Sequence, residues 1–369
     1  MRLQANRLAK KAVSGLRTQT RSYTSSPTPL RHLMTIADLT PAEFTNLVRN
    51  AATHKTLVKS KDVKHLEELR KGLLGTAVAM MFSKRSTRTR VSTEAAVALM
   101  GGHAMFLGKD DIQLGVSFTL RASMKSRWPV NESLYDTSVV ISSMTSCMVA
   151  RVGPHSDVAT LAQHSSVPVI NALSDDFHPL QAIADYLTIH ENFPSSNPSD
   201  LGLSGLKIAW VGDANNVLFD LAIAGVKLGA TVAAASPAGY SIPANMKDLI
   251  NSAAQSSPTP GKLIETTVPE EAVKDADILV TDTWVSMGQE AEAKKRLRAF
   301  EGYQITNELA KRGGAKEGWK FMHCLPRHPE EVDDEVFYGP RSLVFPEAEN
   351  RLWAAVSALE GFVVNKGKL

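Results

Sequence analysis

Residues 207–235 read KIAWVGDANNVLFDLAIAGVKLGATVAAA. Lys207–Val211 is a short apolar run that stops at a glycine, which predicts a buried strand. Leu218–Leu228 predicts a helix, and Thr231–Ala235, after Gly229, a second strand. Strand, helix and strand in ~30 residues make the βαβ unit of a parallel sheet. The turn after the first strand, Val211-Gly212-Asp213-Ala214-Asn215-Asn216, holds one glycine. A dinucleotide fingerprint needs three at fixed spacing, so the turn argues against a nicotinamide cofactor. Two asparagines at a strand end suit either a small polar ligand or a plain turn.

The same alternation extends outward in both directions. Downstream, Met246–Ala254 predicts a helix, and Lys262–Glu265, Ile278–Thr281 and Trp319–Met322 predict strands. Upstream, Thr76–Phe82 and His103–Leu107 predict strands around a helix that runs through Ala95–Met100 and stops at Gly101-Gly102. Val139–Val152 and Pro168–Asn171 continue the series, and Ala182–His190 predicts a helix. Thr40, Pro41 and Glu43 form a capping-box start for an earlier helix. Glu347–Val363 carries Leu352, Val356, Leu359 and Val363 at helical spacing. Phe193–Gly205 is rich in Pro, Ser and Gly, as an inter-domain connection would be. The expected fold is α/β: two similar-sized domains, each a parallel sheet flanked by helices, the second Rossmann-like. The expected divisions are a leader over 1–34, a first domain over 35–181 and a second over 182–346. A terminal helix over 347–365 packs back on the first domain.

A length of 369 residues suits two domains at ~150 residues each. With 43% hydrophobic and 21% charged residues, collagen-like, disordered and disulfide-scaffold classes are excluded. The longest apolar run, Leu221–Ala235, is broken by Lys227, so no membrane span is expected. Two cysteines make no disulfide framework and suggest a reducing compartment. The formal charge of +3 hints at nucleic acid, but its location removes the hint. Seven basic residues and no acidic one lie in residues 1–34, which leaves 34 basic against 38 acidic residues beyond them. Leu3, Leu8, Val13 and Leu16 can share a helix face, and Ser and Thr follow. An Arg-rich, Ser-rich, acid-free amphipathic start fits a mitochondrial transit peptide, hence the mitochondrial matrix; the competing reading is a basic arm.

By the rule that ligands gather outside the carboxyl ends of parallel strands, the loops after the predicted strands are the places to look. Ser83–Arg90 (SKRSTRTR) sets four cations and four hydroxyls between a strand and a helix. A helix N-terminus offers free N–H groups to an anion, and arginine adds a planar fork, so a phosphate site is expected rather than a solvated charge run. Asp282–Gly288 (DTWVSMG) follows another strand, and its carboxylate suits an ammonium group or simply caps a helix. In His323–His328 (HCLPRH), a cysteine beside a histidine allows a nucleophile, a metal ligand or a structural pair. No second Cys/His group has zinc-ligand spacing, so no metal is expected. His178–Gln181 (HPLQ) opens a helix with a polarising histidine and an amide.

STRTR at 86–90, HPLQ, DTWVSMG and HCLPRH, followed by Glu330–Arg351, resemble the ornithine carbamoyltransferases in content and order. These belong to the aspartate/ornithine carbamoyltransferase family, and the resemblance covers about 35–365. The leader points to a mitochondrial, fungal member. STRTR and HPxQ are shared with the aspartate enzymes, whereas SMG and HCLP favour ornithine. The resemblance implies a first domain for carbamoyl phosphate, a second for L-ornithine, and a homotrimer with active sites shared between subunits. It assigns carbamoyl phosphate to Ser86, Thr87, Arg88, Thr89, Gln113, Arg151, His178, Gln181, Cys324, Leu325 and Arg351. It assigns ornithine to Asn216, Asp282, Ser286 and Met287. The expected catalytic set is Arg88, Arg151, His178, Asp282 and Cys324, with no metal or organic cofactor. Whether Cys324 acts as base or only positions the amine is left open.

One segment departs from the family pattern. Gln113–Val116 and Asn131–Ser133 resemble a contiguous QLGVNES, but Ser117–Val130 (SFTLRASMKSRWPV) intervenes. It reads either as a surface insertion or as a translated intron. The loop of Gln113 is expected to reach a neighbouring subunit, so the insert bears on activity. The alternatives to a working ornithine enzyme are a carbamoyltransferase with another amine acceptor and an inactive or regulatory paralogue disabled by 117–130.

Overall fold

The structure is a computed structural model that describes residues 30–109, 111, 132–195, 201–285 and 292–369. Among these described residues nine strands form two sheets in which every pairing is parallel. The first sheet orders its strands β2-β1-β3-β4, with β1 at Ala77–Phe82, β2 at His103–Gly108, β3 at Cys147–Arg151 and β4 at Val169–Leu173. The second orders them β7-β6-β5-β8-β9: β5 Lys207–Val211, β6 Thr231–Ala235, β7 Lys262–Thr266, β8 Ile278–Thr281 and β9 Lys320–His323. The central strands are buried along almost their whole length, as expected where helices cover both faces. The quoted βαβ unit forms β5, the Asn216–Lys227 helix and β6.

Each sheet reverses direction once. The chain moves from β1 to β2 on one side and returns to place β3 on the other; β5 likewise lies between β6 and β8. Those reversals open a crevice at the carboxyl end of each sheet. Gly212 ends β5 with φ 148°, and a Cβ there would lie 3.0 Å from Thr281 Oγ1, so only glycine fits the turn.

Two helices join the sheets. Pro179–Asn192 runs unbroken through the expected division at 181/182, and packs on Val344–Leu359. Val344–Leu359 also packs on the Thr87–Leu99 and Pro41–Lys59 helices and on β9. The Thr40 capping box is present, with Glu43 Oε2 accepting the Thr40 N–H at 2.9 Å.

The expected leader extends too far. Leu33 is fully buried and pairs with β4, its N–H donating to Val169 O at 2.9 Å and its carbonyl accepting from Asn171 N at 2.8 Å. Arg31 bonds Glu43 and the Gly367 carbonyl. Arg31–Met34 therefore belong to the fold, because an apolar residue with a ladder partner loses less by packing than by staying in water. The leader as far as residue 29 and the 117–130 segment lie outside the described residues. So do Gln113, Ser286 and Met287.

Candidate active site

The loops after β1, β3, β5, β8 and β9 line one cleft of about 1140 Å3. Every expected site residue within the described regions lines it: Ser86, Thr87, Arg88, Thr89, Arg151, His178, Gln181, Asn216, Asp282, Cys324, Leu325 and Arg351.

On one wall, Ser86 caps the Thr87–Leu99 helix, its Oγ accepting from Thr89 N at 3.3 Å. The first turn thus turns its N–H groups and hydroxyls toward the end of β1. Ser83 N–H donates to Arg151 O at 2.9 Å, joining the ends of β1 and β3. Arg151 is 8% exposed and Arg351 4% exposed. Burial lowers Arg151 to about 10, with Arg351 and Arg88 adding repulsion. Burial also lowers Arg351 to about 10, opposed by Cys324 and Asp185. Both stay cationic at neutral pH, so this wall concentrates buried positive charge.

His178 lies among these cations. Burial, then Arg351, Arg151 and Arg88, hold its imidazole well below the ordinary range, so it is neutral. Its Nε2 is 3.1 Å from Arg351 Nη1 and must accept, which puts the ring proton on Nδ1. Arg351 also donates to Gln181 Oε1 and, at 3.3 Å, to Thr89 Oγ1. Among the described residues His178 Nδ1, Arg151 Nε and Arg351 Nε are buried donors without a protein partner. Such groups call for an acceptor.

The opposite wall is acidic and thiol-bearing. Asp282 follows β8; its Oδ1 accepts from Cys324 Sγ at 3.2 Å and its Oδ2 from Asn215 Nδ2 at 2.8 Å. Burial pushes the Cys324 thiol well up, reinforced by Asp282, Glu347 and Asp185. At neutral pH it is a protonated donor. Leu325 adopts φ 63°, a conformation uncommon for a branched residue. Its carbonyl accepts from Arg88 Nη2 at 2.6 Å, tying the two walls together.

Asn216 lines the cleft, with its Nδ2 donating to Ser174 O at 2.6 Å. Asn215, not singled out from its neighbour by sequence, holds Asp282 instead. Other supporting residues were missed. Asp213 pairs with Arg296 at 2.8 Å, and Arg296 also donates to Trp284 O at 2.9 Å. Asp185 and Glu347 contact Gln181 behind the cationic wall. A usable signal existed for those two: Asp185 follows Gln181, and Glu347 precedes Arg351, by four residues on a helix, which shares a face.

Two family models match the chain. Residues 31–191 match the carbamoyl-P binding domain of aspartate/ornithine carbamoyltransferase, and residues 204–361 match its Asp/Orn binding domain. The chain is 67% identical over 360 residues to the mitochondrial ornithine carbamoyltransferase of Coccidioides immitis, covering 95% of this chain and 99% of that protein. It is 67% identical over 362 residues to that of Emericella nidulans, covering 96% of each. A crystal structure of a mitochondrial ornithine carbamoyltransferase from Coccidioides immitis superposes with a TM-score of 0.82, covering 92% of this chain and 99% of that one.

Proposed function

This chain belongs to the aspartate/ornithine carbamoyltransferase family, and we propose that it transfers the carbamoyl group of carbamoyl phosphate to the δ-amine of L-ornithine, giving L-citrulline and phosphate. The observation that carries this reading is the division of the cleft: Arg88, Arg151, Arg351 and a neutral His178 line a part suited to an anion, while Asp282 and Cys324 line a part suited to an amine.

In this reading the Ser86–Thr89 helix turn and the arginines hold the phosphate. The unpartnered Nδ1–H of His178, with Arg151 and Arg351, suits the carbamoyl oxygen, whose charge grows as the carbon becomes tetrahedral. A donor aimed at such an oxyanion is worth about 3–4 kcal/mol in the barrier. Asp282, held by Asn215 and by the Cys324 thiol, places the δ-nitrogen and is the nearest acceptor for the proton an ammonium must lose before attack. The neutral amine then forms the C–N bond, the carbamoyl C–O bond to phosphate breaks, and the remaining N–H proton passes to the departing phosphate. The proposal extends to Ser286 and Met287 for ornithine, to Gln113 for carbamoyl phosphate and to a homotrimer, on the family resemblance alone. The mitochondrial matrix is the site of action, in keeping with the leader and with the named relatives.

The test is citrulline formation from carbamoyl phosphate and L-ornithine, with L-aspartate as the competing acceptor, for the chain with and without residues 117–130. Citrulline without carbamoyl aspartate is expected from at least the shortened form. Carbamoyl aspartate as the main product, or no ureido product from either form, overturns the reading.

A further inference from the structure

Behind Arg351 lies a pair of carboxyl groups that the reaction does not touch. Asp185 and Glu347 are each 2% exposed. Gln181 Nε2 donates to Asp185 Oδ1 at 2.7 Å and to Glu347 Oε1 at 3.0 Å. Glu347 Oε2 accepts the His323 N–H at 2.9 Å, at the end of β9 and one residue before Cys324. Both carboxyls therefore meet at one amide nitrogen.

We propose that Asp185 and Glu347 form a one-proton positioning pair that sets the Gln181 amide, and through it Arg351, for carbamoyl phosphate while fixing the end of β9 that carries Cys324. This rests on the activity proposed above and names residues that act behind the site.

The geometry leaves little choice. An amide has one accepting and one donating end. With two carboxyls at its nitrogen, Gln181 must present its oxygen to Arg351, as observed. Turned over, its NH2 would meet a guanidinium and both carboxyls would lose a donor. Two bare buried carboxylates on one amide nitrogen are unfavourable, so the pair keeps one proton. Burial raises both carboxyls, Asp185 to about 7 and Glu347 well above the carboxylate range, so the pair holds a proton at neutral pH. The pair then carries one negative charge opposite the Arg351 cation. Arg351 and Asp282 are the other charged groups acting on both carboxyls, and the Cys324 thiol lies within their field.

The experiment compares Asp185→Asn, whose oxygen stays on Gln181 Nε2 while its NH2 takes the place of the shared proton, with Asp185→Ala, each alone and the latter in a Gln181→Ala background. Steady-state citrulline formation is measured across pH, and carbamoyl phosphate binding by calorimetry. We expect D185N to keep KM for carbamoyl phosphate within about threefold, and D185A to raise it about tenfold with a smaller effect on KM for ornithine. In the Q181A background D185A should add less than twofold, because the pair acts on Arg351 through Gln181. The wild-type KM should rise at alkaline pH as the pair loses its proton, and D185N should lack that rise; Arg351, Asp282 and Cys324 are common to both and cancel. Equal damage from D185N and D185A, full additivity with Q181A, or identical pH profiles would overturn the proposal. If D185A does not fold, D185N and its pH profile decide. If the wild type binds carbamoyl phosphate but makes no citrulline, the activity falls while calorimetry of the same variants still judges the pair.

Discussion

Asp220 lies at 0% exposure on the Asn216–Lys227 helix, yet it ties three segments. Its Oδ1 accepts from Thr35 Oγ1 at 2.7 Å and Ile36 N at 2.9 Å, and its Oδ2 from His178 N at 2.8 Å. Asp220→Asn replaces one accepting oxygen by NH2. Turned toward His178 it opposes one N–H; turned toward Thr35, whose hydroxyl can accept, it opposes Ile36 N–H. Either way one buried N–H is orphaned, at about 1–3 kcal/mol. That is a large fraction of an ordinary folding free energy of ~5–15 kcal/mol. The effect should depend on pH. Burial raises Asp220 to about 7, against an ordinary value of 3.8. A raised carboxyl contributes stability that is fully present below the unfolded value and is lost as pH rises through the folded one. The wild type therefore loses stability between pH 4 and about 7 on account of this group, and Asn has no proton to lose. Urea midpoints at pH 5.5 and 8 should show D220N less stable at both, with the gap narrower at pH 8. A gap that widens with pH, or a cost below about 0.5 kcal/mol at pH 5.5, would show that the three bonds do not make the contribution argued for them.

Arg88→Ala removes a wall cation and the bond to Leu325 O, so kcat for citrulline should fall at least about 1000-fold, with Arg88→Lys intermediate because it keeps charge but not the fork. A rate within tenfold of wild type would remove Arg88 from the chemistry. Cys324 is held protonated by burial and by neighbouring acids, so iodoacetamide should label it slowly at pH 7.5 and faster only above pH 9. Rapid labelling at pH 7 followed by peptide mapping would contradict the neutral thiol; Cys147, also buried and raised, is the internal comparison.

What the sequence disclosed was local. A glycine after an apolar run places the end of β5, Thr40 and Glu43 place a helix start, and strand β8 falls at Ile278–Thr281 as expected. The short helices Val63–Leu69, Ala293–Ala299 and Asn307–Gly313 went unread because two turns carry too few apolar positions to show a period. The site motifs were legible because each is a strand end running into polar residues. Their supports were not, because their partners lie far along the chain. Gln181 meets Glu347 across 166 positions, and Arg351 meets Thr89 across 262.

Lys227 shows the difference most sharply. In sequence it is the charge that interrupts an apolar run. In the fold it is 3% exposed, and its ammonium donates to the carbonyls of Ile36, Ala37 and Leu39, the first two at 2.9 and 2.8 Å. A buried cation keeps its charge only where acceptors surround it, and here the backbone after Thr35 supplies them. Asp220 takes Thr35 and Ile36 from the same helix, two turns earlier. One helix of the second sheet thus fixes the segment that leads the chain into the first, and the same Asp220 carboxyl holds the backbone of His178 in the cleft. The cationic wall is therefore positioned in part from the second sheet, which carries the Asp282 wall, so the relative placement of the two walls is set by buried polar contacts as well as by apolar packing.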